Sequence, residues 1–305
     1  MGEPMPEHDA AAPPKDRKPP WLRKRLVLTE PYGEVRALLR HERVHTVCQE
    51  ARCPNHWECF SQKTATFLIL GDQCTRRCGF CAVGHGRPAP PDPDEPDRIA
   101  RAVCALGLRY VVVTSVTRDD LPDGGASVFA KTIRAIRTAV PGAQVEVLIP
   151  DFRGSASSLE TVLDAGPDVV NHNVETVPRL YERVRPGADY RRSLSLLRWA
   201  FHRAPQTPIK SGIMVGLGET DDEIHQTLED LLASGCTMLT LGQYLRPTPH
   251  LLPVARYVPP EEFHAWREKA LALGFRRVAS GPWVRSSYHA RELYRTLEAG
   301  IHPIP

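Results

Sequence analysis

Six of the eight cysteines in the chain fall within 34 residues, as two triplets of different spacing. Cys48, Cys53 and Cys59 follow C-x4-C-x5-C, and Cys74, Cys78 and Cys81 follow C-x3-C-x2-C. Three thiolates can hold three irons of a 4Fe–4S cubane and leave the fourth iron open to another ligand. Two triplets then imply two clusters and a chemistry beyond electron storage. Zinc stays open as an alternative, because His45, His56 and His85 lie close enough in sequence to complete four-ligand sites. Disulfides fit poorly, since a chain of 305 residues is long enough to build its own core without covalent staples. Arg76 and Arg77 in the second triplet would favour thiolates, and Gly79 lets that loop wrap tightly. Cys104 and Cys236 stand alone in apolar helical stretches and read as small core residues.

These ligands need a scaffold, and from residue 64 onward the chain supplies one. Strand-like apolar runs occur at 64–70, 109–116, 144–149, 168–174, 209–215 and 238–245. Helical patterns lie between and after them, at 96–106, 126–140, 157–165, 190–203, 221–234 and 260–273. Near-continuous apolar strands in strand–helix units predict a parallel sheet covered on both faces, curled by right-handed crossovers. The fold class is therefore α/β, a partial (β/α)6 TIM-type barrel with N-terminal and C-terminal extensions; a doubly wound open sheet is the alternative. Residues 1–25 read as a disordered proline-rich arm, 26–63 as an extension carrying the first triplet, 64–275 as the barrel, and 276–305 as a closing extension. Barrel enzymes work at the C-terminal ends of their strands. Polar and glycine-rich segments sit just there, including 114–120 with Gly124-Gly125, Asp151, 171–175, 216–219 and 243–246.

Net charge is +3 with a pI near 8.4, which makes no case for nucleic acid. The longest apolar stretches are too short to span a membrane; the N-terminal arm lacks an apolar signal core, and its acids Glu3, Glu7, Asp9 and Asp16 argue against a transit peptide. Thiolate clusters without an export signal imply a reducing cytoplasm.

Cys74-Thr-Arg-Arg-Cys78-Gly-Phe80-Cys81 resembles the cluster motif of the radical S-adenosylmethionine (SAM) enzymes. Further motifs narrow the resemblance. They are Cys48-Gln-Glu-Ala-Arg-Cys53-Pro-Asn-His-Trp-Glu-Cys59, Gly-His-Gly-Arg87-Pro, residues 171–175, Val-Arg185-Pro-Gly, Lys210-Ser-Gly-Ile-Met-Val-Gly-Leu-Gly-Glu219 and Arg285-Ser-Ser-Tyr288-His. Together, over residues 26–293, they resemble the lipoyl synthases. That resemblance implies two 4Fe–4S clusters and SAM. The Cys74/Cys78/Cys81 cluster would bind SAM, and the Cys48/Cys53/Cys59 cluster would be a sacrificial sulfur donor. The reaction implied is insertion of two sulfurs at carbons 6 and 8 of a protein-bound octanoyl-lysine. No side chain is basic enough to deprotonate such methylenes, so cofactor-borne radical chemistry is needed.

The resemblance also implies a serine as fourth ligand of the auxiliary cluster, Ser287 in preference to Ser286. It places Gly124, Gly125, Asn173, Glu175, Arg185, Gly212 and Gly216 around SAM; no residue beyond the cluster ligands is implied as catalytic. Arg87, Arg118 and Arg246 read as solvated charges. Leu251 departs from the family pattern, which puts any catalytic histidine at that point in doubt. Implied partners are an octanoylated lipoyl carrier domain or glycine-cleavage carrier protein, an electron donor and a cluster-repair protein.

Overall fold

In a computed structural model of the protein, the described residues are 18–24 and 29–298, with side chains described to residue 295. The strands are β1 (His45–Thr46), β2 (Thr66–Ile69), β3 (Gln73–Cys74), β4 (Gly84–His85), β5 (Tyr110–Ser115), β6 (Gln144–Leu148), β7 (Val169–Asn171), β8 (Ile209–Val215), β9 (Met238–Gln243) and β10 (Arg277–Gly281). The main sheet runs β1-β2-β5-β6-β7-β8-β9-β10. β1 is antiparallel to β2, and every other pairing in this sheet is parallel. β3 and β4 form a separate short parallel pair that brackets the loop carrying Cys78 and Cys81.

All six expected strands and the six helices after them are present. The helices span Glu95–Ala105, Ala126–Ala139, Ala156–Leu163, Tyr190–Arg203, Asp221–Ala233 and Pro260–Leu273. The crossovers cover the outer face of the sheet: Val111 and Val113 of β5 are fully buried in the main core, while Tyr110 and Val112 turn to the other face. Local signals set the ends of helices. Thr220 and Glu223 form a reciprocal capping box at the start of Asp221–Ala233.

The sheet is wider than the sequence reading had it. Within the expected C-terminal extension, Arg277–Gly281 pairs with β9 as a seventh parallel strand. Its composition, Arg-Val-Ala-Ser-Gly, hides a strand whose place is decided by its neighbour. β1 lengthens the opposite edge from within the expected N-terminal extension. Among the described residues no pairing joins β10 to β1, so the barrel is partial.

The helix Ala290–Glu298 packs against the inner face of the sheet. Ala290 meets Tyr110 and Val112, and Leu293 meets Val169 and Met238. Beside it, Lys210 Nζ donates to Glu146 Oε1 at 2.8 Å with both side chains fully buried, and Tyr110 and Asn171 also donate to Glu146. Of the expected arm, residues 1–17 and 25 lie outside the described residues. Residues 18–24 are structured: Leu22 is buried, Trp283 Nε1 donates to the Trp21 carbonyl, and Lys24 pairs with Glu58 at 2.9 Å. Among the described residues, no helix is long and apolar enough to cross a membrane.

Candidate active site: two cysteine triplets on one cavity

Both triplets open onto a single cavity of about 640 Å³, a volume usual for small-molecule sites. Cys48 follows β1 in the helix Val47–Glu50, and Cys59 lies in the helix His56–Ser61. Cys74 ends β3. The same cavity is lined by Asn173, Glu175, Arg185, Gly212, Ser286 and Ser287. Elements from both extensions and from β5 to β9 therefore meet at one place.

The donor spacing distinguishes metals. A tetrahedral zinc site with bonds of about 2.3 Å holds its sulfurs about 3.8 Å apart. In neither triplet do all three sulfurs lie within 4.8 Å of one another; among the described residues, only His45, Glu50 and Asp72 form such a group. A cubane, with irons at separate corners, holds its thiolates further apart than one zinc ion does, and the triplets are consistent with that wider spacing. Burial pushes every auxiliary thiol upward, and repulsion within the triplet adds to it at Cys48 and at Cys59, which reaches about 12. Cys78 is raised to about 11 and Cys81 to about 12, again mainly by burial. Such thiols release their protons readily only to a cation that takes up the charge. The cation that most favours the Cys78 thiolate is Arg185, ahead of Arg76. Arg77, expected to help, is exposed.

Three residues of the cavity lining carry orphaned polar atoms. Ser115 Oγ, Asn173 Oδ1 and Arg185 Nε are buried without partners, which is costly unless a ligand satisfies them. Glu175 sits at φ +66°, a strained position for a non-glycine residue. Its carboxyl is raised by burial against the pull of Arg185. Arg185 also donates to the Asn173 carbonyl at 2.9 Å. Gly212 has no room for a side chain: a Cβ there would lie 2.6 Å from Thr240 Oγ1 and 2.8 Å from Asn173 Oδ1, so glycine lets these two groups sit together on the cavity wall. The donor set and the open cradle fit an amino-acid-bearing nucleoside such as SAM.

Three expected glycines lie elsewhere. Gly124 and Gly125 do not line this cavity: Gly125 starts the helix Ala126–Ala139 and packs against Leu70, while Gly124 faces Phe152 and a second cavity. Residues 115–117, at the end of β5, occupy the cavity wall instead. Gly216 is not among the residues that line this cavity and packs against Gln243 and the Arg256 carbonyl. Gly79 behaves as expected: Leu252 and the Arg183 carbonyl press on it, which leaves no room for a side chain. Cys104 is exposed, not core, and Cys236 is buried as expected. Arg118, read as solvated, is buried and forked onto Asp120.

The arm 283–289 is tied to the auxiliary triplet. Asn55 Nδ2 donates to the Trp283 carbonyl at 2.7 Å, and Tyr288 Oη donates to Glu58 Oε1 at 2.8 Å. His289 Nε2 lies 3.5 Å from Glu58. Between these ties, Ser286 Oγ accepts from Asn173 Nδ2, while Ser287 Oγ has no hydrogen bond among the described residues. Arg285, half-buried and lowered from its ordinary value by desolvation, feels both Cys53 and Glu175. Sequence alone does not single out Asn55, Glu58, Ser115 or Arg285, although all four lie inside the motifs and segments quoted above.

A partly closed parallel barrel with a C-x3-C-x2-C loop at its rim defines a radical SAM protein, and the pattern described as the Radical SAM superfamily matches residues 68–231. The fold agrees with solved structures. The crystal structure of methylornithine synthase (PylB) superposes with a TM-score of 0.51 at 14% identity, covering 90% of this chain and 94% of that one. Streptococcus suis SuiB bound to its precursor peptide SuiA also scores 0.51, at 11% identity, covering 67% of this chain and 44% of that chain. The lipoyl synthase of Desulfotalea psychrophila is 57% identical, over 92% of this chain and 94% of its own length. That of Methylococcus capsulatus is 58% identical over 90% and 85%. The chain belongs to the lipoyl synthase family.

Proposed function

We propose that this protein is a radical SAM sulfurtransferase that inserts sulfur at carbons 6 and 8 of an octanoyl chain amide-linked to a lysine of a carrier domain. The observation that carries this reading is the convergence of both triplets and the serine arm on one cavity. Cys74, Cys78 and Cys81 would hold the SAM-binding cluster. Cys48, Cys53, Cys59 and Ser287 would hold the auxiliary one. When bound, these groups supply a 5′-deoxyadenosyl radical for hydrogen abstraction and sulfide for insertion. Asn173, Glu175, Arg185 and Gly212 bind and orient SAM, with Arg185 offering its charge to the carboxylate and Glu175 to the amine. The engagement of Ser286 with Asn173 leaves the Ser287 hydroxyl as the oxygen donor. A weak alkoxide-type ligand suits a cluster that must come apart.

The division into an N-terminal extension, a barrel and a closing C-terminal extension suits this assignment, with residues 45–46 and 277–281 added to the sheet and residues 18–24 taken out of the arm. Partners are an octanoylated lipoyl domain or glycine-cleavage carrier, an electron donor, and a repair protein that restores the spent cluster. A reducing cytoplasm suits such thiolates.

The test is anaerobic turnover of reconstituted protein with SAM, a strong reductant and an octanoyl-lysine peptide, read by mass spectrometry. Product with two added sulfurs is expected. 5′-Deoxyadenosine beside unmodified peptide would sink the substrate assignment while leaving the superfamily chemistry intact.

A further inference from the structure

Arg76 lies between Cys74 and Cys78, yet its side chain turns away from the cavity and is buried. Its guanidinium forks twice. Nε and Nη2 donate to Asp119 Oδ2 and Oδ1 at 2.6 and 2.8 Å, and Nη1 and Nη2 donate to Asp151 Oδ2 and Oδ1 at 3.0 and 2.7 Å. Asp119 follows β5, and Asp151 follows β6. Arg192, on the helix Tyr190–Arg203, adds an ion pair to Asp151 at 3.1 Å. Two cations and two anions cancel, so the cluster loop gains rigidity without gaining net charge.

The next residue back is held to the same loop. Thr75 N donates to the Thr117 carbonyl at 3.0 Å, and Asp119 N donates to Thr75 Oγ1 at 3.1 Å. This contact brings Thr117 N to within 3.3 Å of Cys74 Sγ, and Arg76 N lies 3.4 Å from the same sulfur. Cys74 thus accepts a backbone N–H from the loop that follows β5. Hydrogen bonds to cluster sulfurs change both cluster retention and potential.

We propose that Arg76 is a positioning residue for the SAM-binding cluster: its double fork onto Asp119 and Asp151 locks the 117–119 segment against Cys74 and so fixes that thiolate and its N–H···S bonds. This rests on the radical SAM reading of the second triplet. A lysine cannot replace the clamp, since an ammonium has no planar fork.

The test compares Arg76→Lys, Asp119→Asn and the exposed neighbour variant Arg77→Gln in the full chain, reconstituted anaerobically. Iron retention under chelator challenge and the electron paramagnetic resonance spectrum of the reduced protein, with and without SAM, are measured beside circular dichroism of the apoprotein. Both clamp variants are expected to lose iron from the SAM-responsive cluster about 10- to 100-fold more readily, with an altered signal from that cluster and auxiliary iron retained. Arg77→Gln should match wild type. Folded Arg76→Lys with wild-type retention and spectrum overturns the proposal. If Arg76→Lys does not fold, the partly exposed Asp119→Asn decides by the same criteria. A wild-type protein whose spectrum ignores SAM would overturn the radical SAM reading itself, a separate result.

Discussion

Gly212→Ala tests the SAM cradle with a single added methyl group. Gly212 lies on β8, and its backbone has no unusual φ, so alanine meets only a problem of space. The new Cβ would lie 2.8 Å from Asn173 Oδ1 and 2.6 Å from Thr240 Oγ1, whereas ordinary contact begins at 3.4 Å. Asn173 must therefore retreat by about 0.6 Å, the difference between 3.4 and 2.8 Å. It is not free to do so, because its Nδ2 is held by Glu175 at 3.1 Å and by Ser286. Overpacking of this kind costs about 1–3 kcal/mol. Expressed at the site, that is about a 5- to 150-fold loss in SAM affinity. The assay is equilibrium SAM binding to the anaerobically reconstituted protein, with 5′-deoxyadenosine formation as a second readout. Thr240→Ala on top of Gly212→Ala removes the 2.6 Å contact and should recover part of the loss. Gly33→Ala is the control: nothing lies within 4 Å of its Cβ position in the helix Glu30–His41. It should gain about 0.5–1 kcal/mol of stability and bind SAM normally. Folded Gly212→Ala that binds SAM within about twofold of wild type would refute the cradle reasoning, since the effect worked from about 1 kcal/mol or more is larger.

Three other expectations concern the framework and the serine arm. Lys210→Met strands the fully buried Glu146 carboxylate and should cost about 3–5 kcal/mol in denaturant unfolding, most of it recovered in Lys210→Met/Glu146→Leu; a loss under about 1 kcal/mol would contradict the buried pair. His172, whose Nδ1 donates to the Ile149 carbonyl, is lowered to about 4, chiefly by burial and then by the Arg185 charge. The unfolded chain then binds the extra proton below its ordinary value of 6.5, so this stability is present above pH 6.5 and drains away as pH falls toward 4. His172 should contribute a loss of about 3 kcal/mol across that window, so that His172→Gln loses clearly less than wild type when unfolding midpoints are compared. Glu58→Gln loosens the ties to Lys24, Tyr288 and His289, so sulfur insertion should fall about tenfold while 5′-deoxyadenosine still forms; equal loss of both products would mean that Glu58 does not act through the arm.

What could be read from the chain was local. The two cysteine spacings, the strand–helix rhythm from residue 64, and the polar residues at strand ends each depend on neighbours a few positions apart. They carried the cluster chemistry, the barrel and the working rim. Gly79 was legible for the same reason, since a cysteine loop that tight needs a residue without a side chain. Contacts across long separations were not legible. Gly124-Gly125 looked like a ligand-binding pair, but a helix start and the Leu70 side chain claim Gly125, and residues 115–117 reach the cavity instead. Ser286 and Ser287 are indistinguishable by spacing; only the fold brings Asn173, 113 residues away, to hydrogen-bond Ser286. Arg76 read as a charge that favours thiolates, until Asp119 and Asp151 placed it beneath the loop. Arg277–Gly281 lacks the apolar run of a central strand and becomes one by pairing along β9. A sequence fixes side-chain chemistry and short-range geometry. Which hydroxyl is hydrogen-bonded, which cation is neutralised and which edge is extended depend on groups that meet only after the barrel has formed.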